Sequence, residues 1–428
     1  MKKQAYLLVL SSVIFIAVTT LFQVYDNAEL ANFRAADSYS YEEAAQYIYH
    51  LGGQPHPTRP FLYPLILGLP HLFSSDYNVF LKFNYAINAF FWLLTSLFIY
   101  KSLIMLIKPR AAFAASLLFA CNLSNIFINP QLLTESIYTL IIALILFFLT
   151  KYFTAHKISH LTAAIALLVL SMLIRPSGLL LALFIVPTYI VYLYKKRYVA
   201  QIIVTVAVLF FPALQIVKMG QHNMGFTISN IGNQTLYYYL CSYAEGVKNT
   251  GYPYFNYALM QSEYEKIRTE RERTVAATGK NGTYWENIKN VSTQDFKHQL
   301  THNFKGLAFS YVRNIVSNSV AFSNASVNLE NPLNKNYFHF IMHISMYITR
   351  IQNILYSLSL FFTPLFLFYF RKRITDKSLL YLQISMLTIA IYTMLISGIS
   401  FAQGDRFTIV LVPIALANMA LLYSNIKF

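Results

Sequence analysis

Apolar runs of about 20 residues recur along nearly the whole chain, separated by short polar connections, and that is the length a helix needs to cross the hydrocarbon of a bilayer. In lipid every backbone N–H and C=O must be satisfied inside its own segment, so such runs read as helices. They fall at residues 5–24, 80–107, 111–128, 132–153, 161–174, 179–194, 199–217, 340–370, 379–399 and 407–422. The pattern predicts an all-α integral membrane protein, a polytopic bundle of about ten transmembrane helices. Composition agrees, with 56% hydrophobic and only 12% charged residues in 428. Lys2 and Lys3 before the first run resemble a signal peptide. The run is long and lacks a small-residue cleavage site, so it reads as an uncleaved first helix.

The net charge of +16 is held mostly in clusters between apolar runs. Lys108 with Arg110, Lys151 with Lys157, Lys195-Lys196-Arg197 and Arg371-Lys372-Arg373 fall on every second connection, as cytoplasmic loops do. That placement argues against nucleic acid as a partner. The other connections then face outward: the first loop, 25–79, and the short ones at 129–134, 175–178 and 402–406. Residues 60–73 are apolar but too short to span, and read as a juxtamembrane or partly inserted helix. Three parts are expected: a transmembrane catalytic module, 1–218; an external loop domain, 219–339; and C-terminal transmembrane helices, 340–428. Within the loop domain, Ser292 with Asp295 predicts a helix start. Phe296, Leu300, Phe304, Leu307, Tyr311 and Ile315 then recur at helical spacing. The two cysteines, Cys121 and Cys241, form no disulfide framework or metal spacing. His50, His56 and His71 lack helical metal spacing, and no metal or other cofactor is expected.

Several charged residues sit at outward helix ends, where hydropathy alone does not ask for them: Asp37 and Arg59 in the first loop, Glu135, Arg175, and Asp405-Arg406. Ionisable groups near the apolar layer are costly and point to function. Helix-end charges also sit simply among lipid headgroups, and Glu135 also reads as a carboxylate favoured by a helix dipole. All of them belong to one face, however. Arginines and carboxylates converging there can line a pocket for an anionic ligand.

These residues lie in recognisable surroundings. "DSYSY" followed by "TRPFLYPLILGLP" resembles the first-loop signature of the C-type glycosyltransferase superfamily, which includes protein O-mannosyltransferases and lipid A aminoarabinose transferases. "TESIY", "RPSG" and "GDRFTIVLVP" resemble further stretches of that superfamily in the same order. The aminoarabinose branch has Glu-Lys-Pro where this chain has Thr58-Arg59-Pro60, and another branch has two acids where this chain has Asp37-Ser38. The resemblance implies a polyprenyl-phosphate sugar as donor, Asp37 as the catalytic acidic residue, and Arg59 and Arg175 as phosphate ligands. Beside these, Glu135 can share the acceptor or orient an arginine, Arg406 can close the pocket from the last span, and Tyr63 is a further candidate for substrate binding. The resemblance also implies a bacterial inner membrane setting, with the site facing the periplasm and a glycan, lipid A or other lipid, or protein as acceptor.

The chemistry fits these residue types. Moving a hexosyl or pentosyl group to a hydroxyl with inversion needs a base for the acceptor and positive charge for the departing phosphate. Arginine binds phosphate oxygens bidentately and keeps its charge. The Asp37-Ser38 step also suits a helix start, where Asn caps about as well as Asp. Tyr237, Tyr238, Tyr239, Tyr252, Tyr254 and Tyr257 suit sugar stacking or, more simply, interfacial packing. Two other classes compete. A polysaccharide polymerase or ligase would carry its key basic residues in the large loop. A lipid-linked sugar transporter or flippase would show broken helices and polar residues at mid-membrane.

Overall fold

The computed structural model describes residues 2–29, 35–251, 257–278, 284–321, 329–370, 376–400 and 403–425. Arg371-Lys372-Arg373, Tyr252 and Tyr254 lie outside them. The described residues contain helices and no strand. Among them, seven helices are long and apolar enough to cross a membrane, or eight if one bent pair counts as a single span.

The seven are α1 (Lys2–Leu21), α5 (Tyr77–Leu103), α8 (Glu135–Ala155), α10 (Leu179–Lys195), α11 (Val199–Gln221), α17 (Phe338–Phe370) and α18 (Lys377–Ser397). The third predicted span, 111–128, is the bent pair. Helix α6 (Pro109–Ala120) and α7 (Leu123–Phe127), with the 3-10 turn that follows, meet at 52°. Asn122 sits at the break and caps α7, its side chain accepting the Asn125 N–H. The predicted spans at 161–174 and 407–422 correspond to α9 (Ile158–Ser171) and to α19 (Arg406–Ile409) with α20 (Val412–Asn425). Both apolar pieces are shorter than a crossing requires. Among the described residues, then, seven or eight helices rather than ten meet the length of a crossing, because hydropathy does not register where a helix breaks.

At the centre stands α8. It is apolar on every side, and nearly all of its first sixteen residues are buried, as expected of a helix enclosed by others. It packs against α5, α9, α18 and α20. Polar ties hold the helix ends nearest the first loop: Asn88 of α5 donates to the Asn129 carbonyl (2.8 Å), and Asn84 to the Leu67 carbonyl (2.9 Å).

Before α5, the first loop forms α2 (Val24–Ala28), α3 (Ala36–Tyr49) and α4 (Leu62–Leu67), then a 3-10 turn at Leu69–Leu72. The apolar stretch 60–73 is thus two short turns, neither long enough to cross.

The region between α11 and α17 is helical too: α12 (Ile231–Gln234), a π-helical segment Thr235–Cys241, α13 (Ser242–Asn249), α14 (Tyr257–Thr278), α15 (Tyr284–His302) and α16 (Phe304–Val320). Two expectations are corrected here. Ser292 starts no helix; it is buried within α15, its hydroxyl donating to the Lys289 carbonyl at 2.9 Å. Nor do the apolar positions from 296 to 315 lie on one helix. The chain turns at Asn303, whose amide donates to the Ala244 carbonyl (2.9 Å) and to Gln299 Oε1 (2.7 Å). Leu307 of α16 is then buried against Leu240 and Ala244. Arg271 staples the region, pairing with Glu245 (2.6 Å) and Asp295 (2.7 Å) and donating to the Tyr237 carbonyl (2.7 Å).

Candidate active site

Asp37 lies in the first turn of α3, but its carboxylate caps no backbone N–H. One oxygen meets Arg59 Nη2 and the other Arg406 Nη1, both at 2.5 Å. Arg406 continues through Nε to Glu135 Oε1 (2.5 Å), and Arg175 Nη2 lies 3.7 Å from that same oxygen. Four separated segments thus bring five of the six candidate residues into one continuous chain of charge. Three guanidiniums against two carboxylates leave a net of one positive charge (3 − 2).

Each segment is held by specific contacts. The start of α3 is tied to the turn before α8: Ala35 N–H donates to Gln131 Oε1 (2.9 Å), and the Ser38 hydroxyl to the Gln131 carbonyl. Leu132 in that turn adopts a left-handed conformation (φ 51°), although a branched side chain disfavours it, and full burial of that side chain holds it there. Leu62 N–H donates to the Leu173 carbonyl (3.0 Å), joining the segment after Arg59 to the one before Arg175. The segment around Arg406 is gathered by Asn318 of α16. The amide of Asn318 donates to the Ser397 (3.1 Å) and Ser400 (2.9 Å) carbonyls, its Oδ1 accepts the Gln403 N–H (3.2 Å), and its carbonyl accepts the Thr408 hydroxyl (3.1 Å).

The arginines differ in their surroundings. Arg59 lies over the Tyr41 ring at 4.5 Å and donates from Nε to Ser40 Oγ at 2.8 Å. Arg175 sits between the Phe407 (5.1 Å) and Tyr138 (5.5 Å) rings and donates to the Arg406 carbonyl (3.3 Å). Its one carboxylate contact is the longest in this charged cluster. Arg406 is 7% exposed and ion-paired to both carboxylates.

A cavity of about 290 Å³ opens on this cluster. Asp37, Arg59, Arg175 and Arg406 line its polar end. Leu179 and Leu180 of α10, with Ile396 at the end of α18 and Ile399 just beyond it, form an apolar wall, and Tyr239 of the π-helical segment closes a side. The two remaining candidates stand outside that wall. Glu135 is fully buried, in contact with Arg406 and Arg175, and does not line the cavity. Tyr63 is 1% exposed, with its ring edge-on to Tyr41 at 5.2 Å, backing the ring on which Arg59 rests. Tyr237 lies under Arg271 (4.6 Å) and Tyr238 packs with Val275 and Ile288, so of the described tyrosines in that run only Tyr239 reaches the cavity.

Sequence reasoning passed over Tyr41 and Ser40, and weighed His56 only as a metal ligand. Tyr41 and Ser40 lie inside the "DSYSY" stretch, four and three residues beyond Asp37, so helical spacing alone points them to its side. Burial pushes the Asp37 carboxyl up, but Arg406 and Arg59 more than reverse this and hold it well below the usual carboxylate range. An acid held so is a weak base until its arginines are drawn elsewhere. Among the described residues, no three metal-ligating side chains come together.

No family model and no curated protein matches the chain. Among solved structures it is similar to the archaeal oligosaccharyltransferase AglB from Archaeoglobus fulgidus, determined in complex with an inhibitory peptide and a dolichol-phosphate. Identity is 13% and the TM-score 0.49, over 98% of this chain and 50% of that one. The chain spans about half the length of that protein.

Proposed function

We propose that the chain is a membrane glycosyltransferase that moves a sugar from a polyprenyl-phosphate donor to a hydroxyl acceptor at the outward face of the bilayer. The observation that carries this reading is the two-ended cavity: guanidiniums with a carboxylate set among them at one end, and an apolar wall between α10 and α18 at the other. A lipid phosphate has that same division. Its prenyl chain suits Leu179, Leu180, Ile396 and Ile399, and its phosphate suits the arginines, which bind such oxygens through paired N–H groups.

In the reaction, the acceptor oxygen bonds to the anomeric carbon while the bond from that carbon to the phosphate oxygen breaks, inverting the centre. The hydroxyl proton passes to Asp37, and the lipid phosphate leaves on the arginines. Positive charge placed where the phosphate develops charge lowers the barrier. The tight pairing of Asp37 gives the donor a second role. Arg59 and Arg406 cannot grip both anions fully, so a bound phosphate draws them off Asp37 and raises its basicity when an acceptor needs it. Arg175, with the weakest pairing, is the first contact for the incoming phosphate. Residues 1–218 and 340–428 supply the charged cluster, and 219–339 covers it.

The test is transfer by the purified protein in nanodiscs, supplied with radiolabelled polyprenyl-phosphate hexoses and pentoses and an extract of envelope glycans and lipids. Label moving to an acceptor, with release of polyprenyl phosphate, is the expected result. Binding without transfer across the donor series, together with donor movement between leaflets, would replace this reading with transport.

A further inference from the structure

Arg59 stands on a connection that has no regular secondary structure between α3 and α4. Something else must fix its backbone. His56 is 8% exposed, and its Nδ1 faces the N–H groups of Thr58 (3.3 Å) and Arg59 (3.2 Å), with the Thr58 hydroxyl also at 3.3 Å. A ring nitrogen accepts hydrogen bonds only when it carries no proton. Accepting there requires a neutral imidazole with its proton on Nε2, and that nitrogen lies 3.5 Å from Glu43 Oε2 of α3. The Tyr47 ring of α3 (5.4 Å) and Arg59 itself also face it, and Lys218 of α11 donates to the Gly53 carbonyl of the same connection (3.2 Å). The same connection is fastened at the Pro57 carbonyl by the Asn230 N–H (3.0 Å) and at the Thr58 carbonyl by the Ser229 hydroxyl (2.6 Å).

We propose that neutral His56, in the tautomer with a bare Nδ1, is the positioning residue that sets the backbone of Thr58-Arg59 and so aims the Arg59 guanidinium at Asp37 and the cavity. Protonation converts the acceptor into a donor facing two N–H groups. The turn then opens and Arg59 loses its aim. Burial pushes the imidazole down, Glu43 opposes this and Arg59 adds to it, leaving the group at about 4. The acceptor thus stays in place through mildly acidic surroundings, where an ordinary histidine would have charged.

The first arm of the test is independent of function. In full-length protein labelled with [15N]histidine, the ring assigned by its loss in His56→Ala should show a bare Nδ1 at neutral pH and stay neutral down to about pH 5. A ring with its proton on Nδ1, or one that charges near 6.5, would overturn the proposal. The second arm rests on the lipid-phosphate reading and uses undecaprenyl phosphate as probe. His56→Ala should lose about tenfold or more in affinity, and His56→Asn, whose Oδ1 can stand near the place of Nδ1, should recover most of it. Equal affinity in His56→Ala and wild type, or an Asn variant no better than the Ala variant, would also overturn it. Wild-type protein that fails to bind the probe would defeat the lipid-phosphate reading alone, and the first arm would still decide the role of His56.

Discussion

The arginines do different work, and single substitutions should separate them. Arg175 has one distant carboxylate partner, so Arg175→Ala should leave the fold nearly intact while weakening undecaprenyl phosphate binding by about 1.5–3 kcal/mol, read by titration in nanodiscs. Arg175→Lys should rescue only part, since a point charge lacks the fork. Asp37 behaves differently from a helix cap. Asp37→Asn takes the site from one net positive charge to two and leaves two guanidiniums facing a neutral amide. Turnover should fall roughly 100-fold or more, the scale of a positioned proton acceptor. The side chain is one-third exposed, so the accompanying loss of stability is moderate, about 1–3 kcal/mol, measurable as a lower Tm. The folded carboxyl titrates below its ordinary 3.8. Its contribution to stability is therefore complete above that value and is lost as pH falls through the lower folded value, so acid unfolding traceable to Asp37 belongs below pH about 4. If a bound phosphate draws the arginines away, the acid limb of kcat should lie at higher pH than that of kcat/KM. Coincident limbs would mean that the arginines never release the acid.

At the scale of elements, the region between α11 and α17 does more than cover the cavity, because its last helix, α16, fixes the segment that carries Arg406. Asn318 is 1% exposed and makes four hydrogen bonds with that segment, three through its side chain, while Asn314 donates to the Gly398 carbonyl (3.0 Å). Replacing Asn318 by Leu leaves buried carbonyls and an N–H without partners. The cost should be about 1–3 kcal/mol, with turnover falling further than Tm alone explains because Arg406 loses its backbone support. Thermal melts paired with the transfer assay check this. None of it was legible along the chain. Helical spacing from 296 to 315 is a true property of the residues, yet the break at Asn303 is made by an acceptor on α13, 59 residues away. The 60–73 stretch was legible, since its length alone excludes a crossing.

Across the whole molecule, the charged cluster lies among connections on the face opposite the basic clusters, and the alternation of those clusters predicts that this face points outward. In a background lacking Cys121 and Cys241, single cysteines at Gln54 and Lys266, both exposed, should react with a membrane-impermeant thiol reagent added from outside, and one at exposed Thr154 should not. Reaction at Thr154 alone would reverse the orientation. Ser38 is unsuitable for such a probe, since it is fully buried. What the residues by themselves determined is what depends on local composition: an all-helical membrane chain, a first loop too short in apolar length to cross, and a set of charges that hydropathy does not require at helix ends. Tertiary structure alone decided which apolar runs break, which of the charges face the cavity, and that Glu135 and Tyr63 stand behind the residues that do. The physical reason is range. Helix formation and membrane insertion depend on neighbours within a turn or two of the chain. The state of Asp37 depends on Arg59 from the same loop and on Arg406, 369 residues away, and no local pattern encodes that meeting.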